Sequence, residues 1–503
     1  KIKKMSQQNL DPLDIVMELV PQKLIDLVKE KTLERVKLKY KGARQYWNKG
    51  EFGKFMAACI FMQVFPQKNI RTYFRKDRTV NYPFITDMWT YRGFTAYLQN
   101  LAYYDHQSTE AAELLDDPMY EEYEEEEESE SEEDLFPDDL SSDDVDLPGK
   151  SQTDDNTPQQ KLTTYITANF IEPLAQSFRE HMPPCRTVSL DESLLKCQSR
   201  TQNLQYMPNK PGKWGLLLRC ICDAKSGYCI NLFMVEHGVR KTNVQVCEEL
   251  FEGYPDYMFK VALDNFYTSK DVIKFLNGKH YPFVGTVRLN RCGIKTFPDI
   301  IPEGFQFVKG NGQDRNYNLT FYQVKKNRRV IFAHSGSPDD VKSQGEKTKN
   351  YKGKPMVAKE YCEDYGGVDL MDHFLYFIRA PHRTRRWPVK LFFHMLSLVL
   401  HNAHCIWKFR NPGKKLSLSQ FSEMVAAELK DLYYVPKRVP GLIGITQHVH
   451  RLFQDIPGQQ QFTERRCQKC QNPTYKGCSC GLVFCKQCYD GHILYEFMHR
   501  QME

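Results

Sequence analysis

Apolar positions in the first hundred residues recur every three to four places. PLDIVMELVPQKLIDLVKEKTLERV carries such a stripe, interrupted at Pro21, and GEFGKFMAACIFMQVF carries a second. That period marks amphipathic helices, with proline as a break, so residues 1–108 read as a helical N-terminal region. From Arg186 the pattern changes. RTVSL, GLLLRCIC, CINLFMV, FKVAL and FVGTV are short, near-continuous apolar runs that suit strands buried on both faces. DAKSGY joins two of them as a hairpin turn, and helical stretches separate the later ones. The order predicts an α/β core beginning over residues 161–287. FQFV, LTFYQV and RRVIFAH predict a β-rich insertion over residues 288–358, before helices resume at 359–411. LFFHMLSLVLHNAHCIW, from Leu391, is broken by His394, His401, Asn402 and His404. No apolar run reaches the ~18 residues of a membrane span, and this one predicts a buried helix. Residues 412–464 begin helical and become loop-like around Pro436, Pro440 and Pro457.

Length and charge refine this picture. A chain of 503 residues exceeds a single core, and 41% hydrophobic with 13% aromatic residues is a globular composition. The net charge of +6 conceals an asymmetry: residues 110–149 hold 20 Asp or Glu and no Lys or Arg, which leaves +26 on the rest. A body that basic implies a polyanionic partner, without choosing between DNA, RNA and acidic proteins. The acidic stretch at 109–160 reads as a disordered linker, because its charges repel and it has little apolar surface to bury. An intramolecular DNA mimic competing for the basic face is the alternative.

Six of the 16 cysteines lie between Cys467 and Cys488, whereas others, such as Cys220, Cys222 and Cys229, sit inside strand-like runs. Such a distribution indicates reduced core thiols and one local metal module, in a reducing intracellular compartment. The tail over 465–503 reads CQKC-x7-CSC-x4-CKQC-x3-H-x6-H. Close thiolate pairs separated by turns have tetrahedral zinc spacing. An interleaved brace assigns Cys467, Cys470, Cys485 and Cys488 to one structural Zn²⁺ and Cys478, Cys480, His492 and His499 to a second. A single zinc with spare cysteines is the alternative.

Three aspartates are the candidates for chemistry. Asp191 ends the run VSL, Asp264 ends FKVAL before a polar turn, and Asp369 opens an amphipathic helix with Asp372 one turn later. A lone buried carboxylate costs several kcal/mol, so its bland role is a cap or turn former. Several that share a divalent ion make a phosphoryl-transfer centre, and hard oxygen ligands favour Mg²⁺ or Mn²⁺. Glu192 follows Asp191 but points to the opposite sheet face if the strand continues.

Around these aspartates the chain resembles the piggyBac family of DNA transposases. SLDESLL, MPNKPGKWGLLLRCICDAKSGY, LDNFYTS, FVGTVRLNR, GGVDLMDHF and RTRRWPVKLFFHMLSLVLHNAH fall in the family's order and intervals. The resemblance implies a multidomain α/β protein with an RNase H-like catalytic core. It implies Asp191, Asp264 and Asp369 as the metal-binding triad, with Asp372 at a further acidic position. It implies a dimer acting in the nucleus on double-stranded DNA, with hairpin excision, integration at TTAA, and an end-binding tail. A protein-binding zinc module of RING or PHD type competes for that last role. A domesticated DNA- or chromatin-binding relative, or a host nuclease limited to excision, are the other functional readings.

The basic candidates follow. Arg379, Arg383, Arg385 and Arg386 form a guanidinium cluster after the third aspartate, suited to phosphates. Trp387 either stacks on an unpaired base or anchors a helix start in the core, and RTRRWP matching the family favours the base. Lys210 and Lys213 precede the hairpin, and Lys349, Lys352 and Lys354 lie in a basic loop that can track a DNA backbone.

The tail yields a first prediction. Residues 460–503 expressed alone are expected to bind two zinc ions and lose structure in chelator, because thiolates replace an apolar core there. In the full chain, Cys485→Ser should weaken end-specific DNA binding while metal-dependent nicking of generic duplex continues. Metal analysis returning one zinc per chain would dissolve the two-site brace.

Overall fold

In the computed structural model, the apolar stretch from Thr187 does not stop at Leu190. It runs on to Lys196 as a ten-residue strand, β1, at the middle of a nine-stranded sheet. The structure describes residues 11–39, 49–76, 81–104, 158–208, 210, 212–291, 296–300, 304–308, 317–336, 354–378, 384, 386–434, 450–452, 465–466, 473–474 and 476–478. The acidic stretch and most of the tail lie outside them.

The other strands are β2 (Leu204–Tyr206), β3 (Trp214–Asp223), β4 (Cys229–Met234), β5 (Lys260–Leu263), β6 (Phe283–Thr286), β7 (Phe305–Val308), β8 (Asn318–Lys325) and β9 (Arg328–His334). Their order is β2-β3-β1-β5-β6-β9-β8-β7, with β4 beside β2 on the outer edge of β3. β1, β5 and β6 are mutually parallel, and the remaining pairs are antiparallel. Two expectations change here. Asp191 stands within β1, not at its end, because β3 supplies a partner all along it: Asp191 faces Cys220 and Lys196 faces Gly215. The β-rich segment is an extension of the main sheet, since β9 pairs with β6 and closes what would be an open edge.

Thirteen described helices pack around this sheet. The N-terminal set is α1 (Pro12–Leu19), α2 (Gln22–Lys39), α3 (Lys49–Val64), α4 (Pro83–Thr86) and α5 (Tyr91–Asn100). Then come α6 (Pro158–Ile166), joined by one π-helical turn to α7 (Glu172–His181), followed by α8 (Asn243–Leu250) and α9 (Lys270–Gly278). The last four are α10 (Met356–Asp364), α11 (Gly367–Tyr376), α12 (Trp387–Arg410) and α13 (Leu418–Tyr433). Side-chain caps set several starts: Thr242 with Gln245 and Ser417 with Gln420 make capping boxes, and Ser269 caps α9.

α12 is the axis of the core. It is buried from Trp387 to Trp407 except at Lys390 and His394. By length and composition it is apolar enough to cross a membrane, but 89% of that window is buried in the protein. Its polar interruptions have assigned partners. Asn402 accepts the Cys229 N–H and donates to the Cys229 carbonyl, both at 2.9 Å, pairing β4 as a neighbouring strand would. His401 Nε2 lies 2.9 Å from the Gly227 carbonyl.

The N-terminal helices share this core instead of folding apart. Gln63 donates to Ser397 Oγ at 2.9 Å, and Tyr103 donates to the Pro388 carbonyl at 2.7 Å. α13 closes on α3 so tightly that Tyr433 occupies the space a side chain on Gly53 would need. Arg386 and Trp387 belong to the same packing, which corrects their reading as DNA contacts. Arg386 is 6% exposed and donates to the Gln99 and Leu101 carbonyls at 2.7 and 2.8 Å. Trp387 is 3% exposed in the first turn of α12, ahead of Pro388. A guanidinium, with its donors in a fixed fork, can satisfy both diverging carbonyls at that depth. Arg386→Ala should therefore destabilise the fold by about 2–3 kcal/mol, leaving buried acceptors unpaired. Denaturant melts measure this, and DNA affinity of the folded variant should match the wild type.

Candidate active site

The side of β1 that bears Asp191 is defined by two serines. Ser189 Oγ accepts the Val368 N–H at 3.1 Å, and Ser193 donates its hydroxyl to Asp372 Oδ1 at 2.6 Å. Both partners are on α11. Strand side chains alternate, so Asp191, between these serines, shares the face on which α11 lies. Glycine makes the approach possible. A Cβ on Gly367 would meet Ser189 Oγ at 2.6 Å and the Asp223 carbonyl at 2.9 Å. On the hairpin turn, Gly227 has φ +70, and a Cβ there would lie 2.9 Å from Met371 N.

Asp264 arrives from the adjacent strand. β5 ends at Leu263, which is paired in parallel with Leu190, so Asp264 leaves β5 beside Asp191, which continues within β1. The Asp264 carboxylate accepts the Phe266 and Tyr267 N–H groups at 2.9 and 3.1 Å. Its carbonyl accepts from the Thr268 hydroxyl at 2.7 Å. The same residue therefore forms the turn and presents the carboxylate.

These groups are short of positive charge. Burial, and then the hydrogen bond and negative charge of Glu192 and the charge of Asp264, push the Asp191 carboxyl up to about 8. Burial also raises Asp264, opposed by the Tyr267 and Phe266 N–H groups and by Arg219. Asp372 is raised to about 6 by burial, against the Ser193 hydroxyl and the charge of Lys210. Excess carboxylate in a partly dehydrated site suits a divalent cation.

The four aspartates come to one region but not into one cluster. Among the described residues, no three Asp, Glu, His or Cys side chains stand together as a metal site. Like charges turn instead onto donors: Asp191 onto the Glu192 N–H at 2.8 Å, Asp264 onto its turn, and Asp372 onto Ser193. Asp369 stays exposed in the first turn of α11, whereas Asp372, the lesser expectation, is the one bonded to β1.

Of the basic candidates, Lys210 donates to the Glu192 carbonyl at 3.1 Å, which ties its turn to the Asp191 strand. Lys213 is exposed with φ 43, and Lys354 is half-buried just before α10. Arg379, Arg383, Arg385, Lys349 and Lys352 lie outside the described residues, as do Cys467, Cys470, Cys480, Cys485, Cys488, His492 and His499. Cys478 ends a short strand, β13 (Lys476–Cys478), that pairs with β10 (His450–Leu452). β11 (Arg465–Arg466) and β12 (Pro473–Thr474) form a second pair. Sequence reasoning overlooked Arg219, which pairs across β1–β3 with Glu192 and bonds it directly. The available signal was a single charge within the apolar run GLLLRCIC.

The class follows from comparison with known proteins. Residues 11–404 match the family described as Transposase IS4, a DDE-type family of DNA-cleaving enzymes that generally use divalent metal. The chain belongs to that transposase family, in its piggyBac branch. It is also similar to a cryo-EM structure of a piggyBac transposase synaptic complex with hairpin DNA, at a TM-score of 0.65 and 17% identity. That match covers 95% of this chain and 97% of the other, and at such identity it shows a shared mixed α/β fold.

The electrostatics give a stability test. Above about pH 8, where the raised Asp191 carboxyl is ionised, Asp191→Asn removes a dehydrated, crowded charge, so in chelator at that pH the variant should be more stable than wild type by about 1 kcal/mol. Wild type should gain stability on adding Mn²⁺, and the variant should gain less. Thermal melts with and without the ion measure both, and a variant less stable in chelator would refute the charge imbalance.

Proposed function

We propose that this protein is a metal-dependent transposase that cuts and joins DNA strands at a centre built from Asp191, Asp264 and Asp369. The observation that carries this reading is the arrival of Asp191 and Asp264 from adjacent parallel strands, with the acidic helix α11 laid across β1. An RNase H-like core is the matching description of that arrangement. Bound Mg²⁺ or Mn²⁺ would activate the attacking oxygen and stabilise the leaving one.

The chain's own residues supply position and charge. β1 and β5 fix the first two carboxylates in parallel register, and Ser193 orients Asp372 as a supporting acid. Lys210 and Lys213 lie on a turn anchored to the Asp191 strand and are suited to hold a DNA backbone nearby. Arg379, Arg383, Arg385, Lys349, Lys352 and Lys354 extend that role by their place in the sequence. The neighbour's synaptic complex with hairpin DNA supports hairpin excision here too, with two DNA ends joined by at least two copies of the chain. Integration at TTAA, end recognition by the zinc tail and action in the nucleus complete the proposal.

Asp191→Asn, Asp264→Asn and Asp369→Asn should each abolish cleavage of end-containing DNA in Mg²⁺ or Mn²⁺ and leave DNA binding intact. Asp372→Asn should lose part of the activity, since an amide still accepts from Ser193. Gel assays of nicking and strand transfer decide this, and near-normal cleavage by one of the three would remove that residue from the centre.

A further inference from the structure

Next to Asp191 in β1 lies a charged cluster, outside the proposed metal centre but in contact with it through Glu192, which bears on the Asp191 carboxyl. Glu192 is 7% exposed and Tyr267 is fully buried. Arg219, on β3 directly across from Glu192, bonds both the Glu192 carboxylate and the Tyr267 hydroxyl. Tyr267 in turn donates its hydroxyl to Glu192 at 2.9 Å. The Arg219 guanidinium lies 5.0 Å from the Phe266 ring centre and 5.3 Å from that of Tyr267.

The two rings beneath that guanidinium belong to the residues whose N–H groups hold the Asp264 carboxylate. One continuous path therefore runs from Glu192, the residue after Asp191, through Arg219 and the Tyr267 ring, to the donors on Asp264. A buried ion pair is a weak source of stability, because apolar side chains of the same volume commonly do as well. Fixing geometry between two strands is the better-attested use of such a group.

We infer that Glu192, Arg219 and Tyr267 form a positioning clamp that holds the Asp264 turn against β1, and so sets the spacing of Asp191 and Asp264. Its catalytic importance rests on the function proposed above. None of the three touches substrate. Arg219 and Tyr267 act through the Asp264 carboxylate that Tyr267 and Phe266 orient, and Glu192 bears on Asp191 as well.

Tyr267→Phe removes one hydroxyl and keeps the ring. Tyr281→Phe is the control, because Tyr281 is equally buried and its hydroxyl donates to the Pro255 carbonyl at 2.9 Å, away from the carboxylates. Two readouts separate positioning from stability: amide hydrogen exchange in the peptide containing Phe266 and Tyr267, and the Mn²⁺ concentration giving half-maximal DNA cleavage. Tyr267→Phe should exchange faster there, need several-fold more Mn²⁺, and cleave about tenfold or more slowly, as small misplacements of catalytic groups do. Tyr281→Phe should lose similar stability with neither change. Glu192→Gln, which keeps an acceptor but loses the ion pair, should move both readouts in the same direction as Tyr267→Phe, and it carries the test if Tyr267→Phe does not fold.

Wild-type exchange, or a wild-type Mn²⁺ requirement, in Tyr267→Phe and Glu192→Gln would overturn the clamp. So would a Tyr281→Phe variant that reproduces both changes. A wild-type protein that cuts no DNA would sink the proposed function alone, and the exchange data would still decide whether the clamp holds the turn.

Discussion

The close seating of α11 on β1 is the contact from which the site's geometry follows. Gly367 lets the helix backbone come against Ser189 and the end of β3, and Ser189 receives the helix's Val368 N–H. One helical turn on, Asp372 reaches Ser193. A side chain at position 367 would force the helix outward and separate Asp369 and Asp372 from the Asp191 strand. Gly227, in a left-handed conformation, allows the β3–β4 turn to underlie the same helix. Two glycines far apart in sequence thus determine how near the acidic helix comes to the acidic strands.

That proximity creates an electrostatic problem, and the surroundings address it unevenly. Asp191, Asp264 and Asp372 are all raised by burial first. Backbone N–H groups and one serine hydroxyl satisfy their hydrogen bonds but add no net positive charge. Lys210 bears on Asp372, and Arg219 bears on Asp264 while committed to Glu192. A site left with surplus negative charge is poorly stabilised alone and well prepared to gain from a divalent ion.

Rigidity around the site comes from the length of α12 and from what leans on it. The N-terminal helices, α13 and the β3–β4 hairpin all contact this helix or its neighbours, so they share one continuous core. Arg386 and Trp387, at the junction, are spent on that packing. A basic-aromatic motif next to a candidate catalytic segment is therefore not by itself a DNA contact. Depth decides, because a guanidinium bonded to two buried carbonyls cannot also reach a phosphate.

How much was readable beforehand differs by level. Hydrophobic period located α1 and α2 with their break at Pro21, the buried α12, the β3–β4 hairpin and the parallel strand ahead of Asp264. Each of these is a local consequence of which residues must leave water. The aspartates were conspicuous for the same reason, since charges beside apolar runs ask for an explanation. Pairing between distant segments was not local. The continuation of β1 past Asp191 depends on β3 offering a partner, and the joining of β7–β9 to the main sheet depends on the free edge of β6. The burial of Arg386 depends on Gln99 and Leu101, nearly three hundred residues away. The Glu192–Arg219–Tyr267 cluster depends on strand register and on one turn. The sequence by itself determined where the main helical and strand-like segments lie and which charged residues stand beside apolar runs. Only the tertiary structure decided which of those residues meet, because a hydrogen bond or ion pair requires a partner whose position no local pattern specifies.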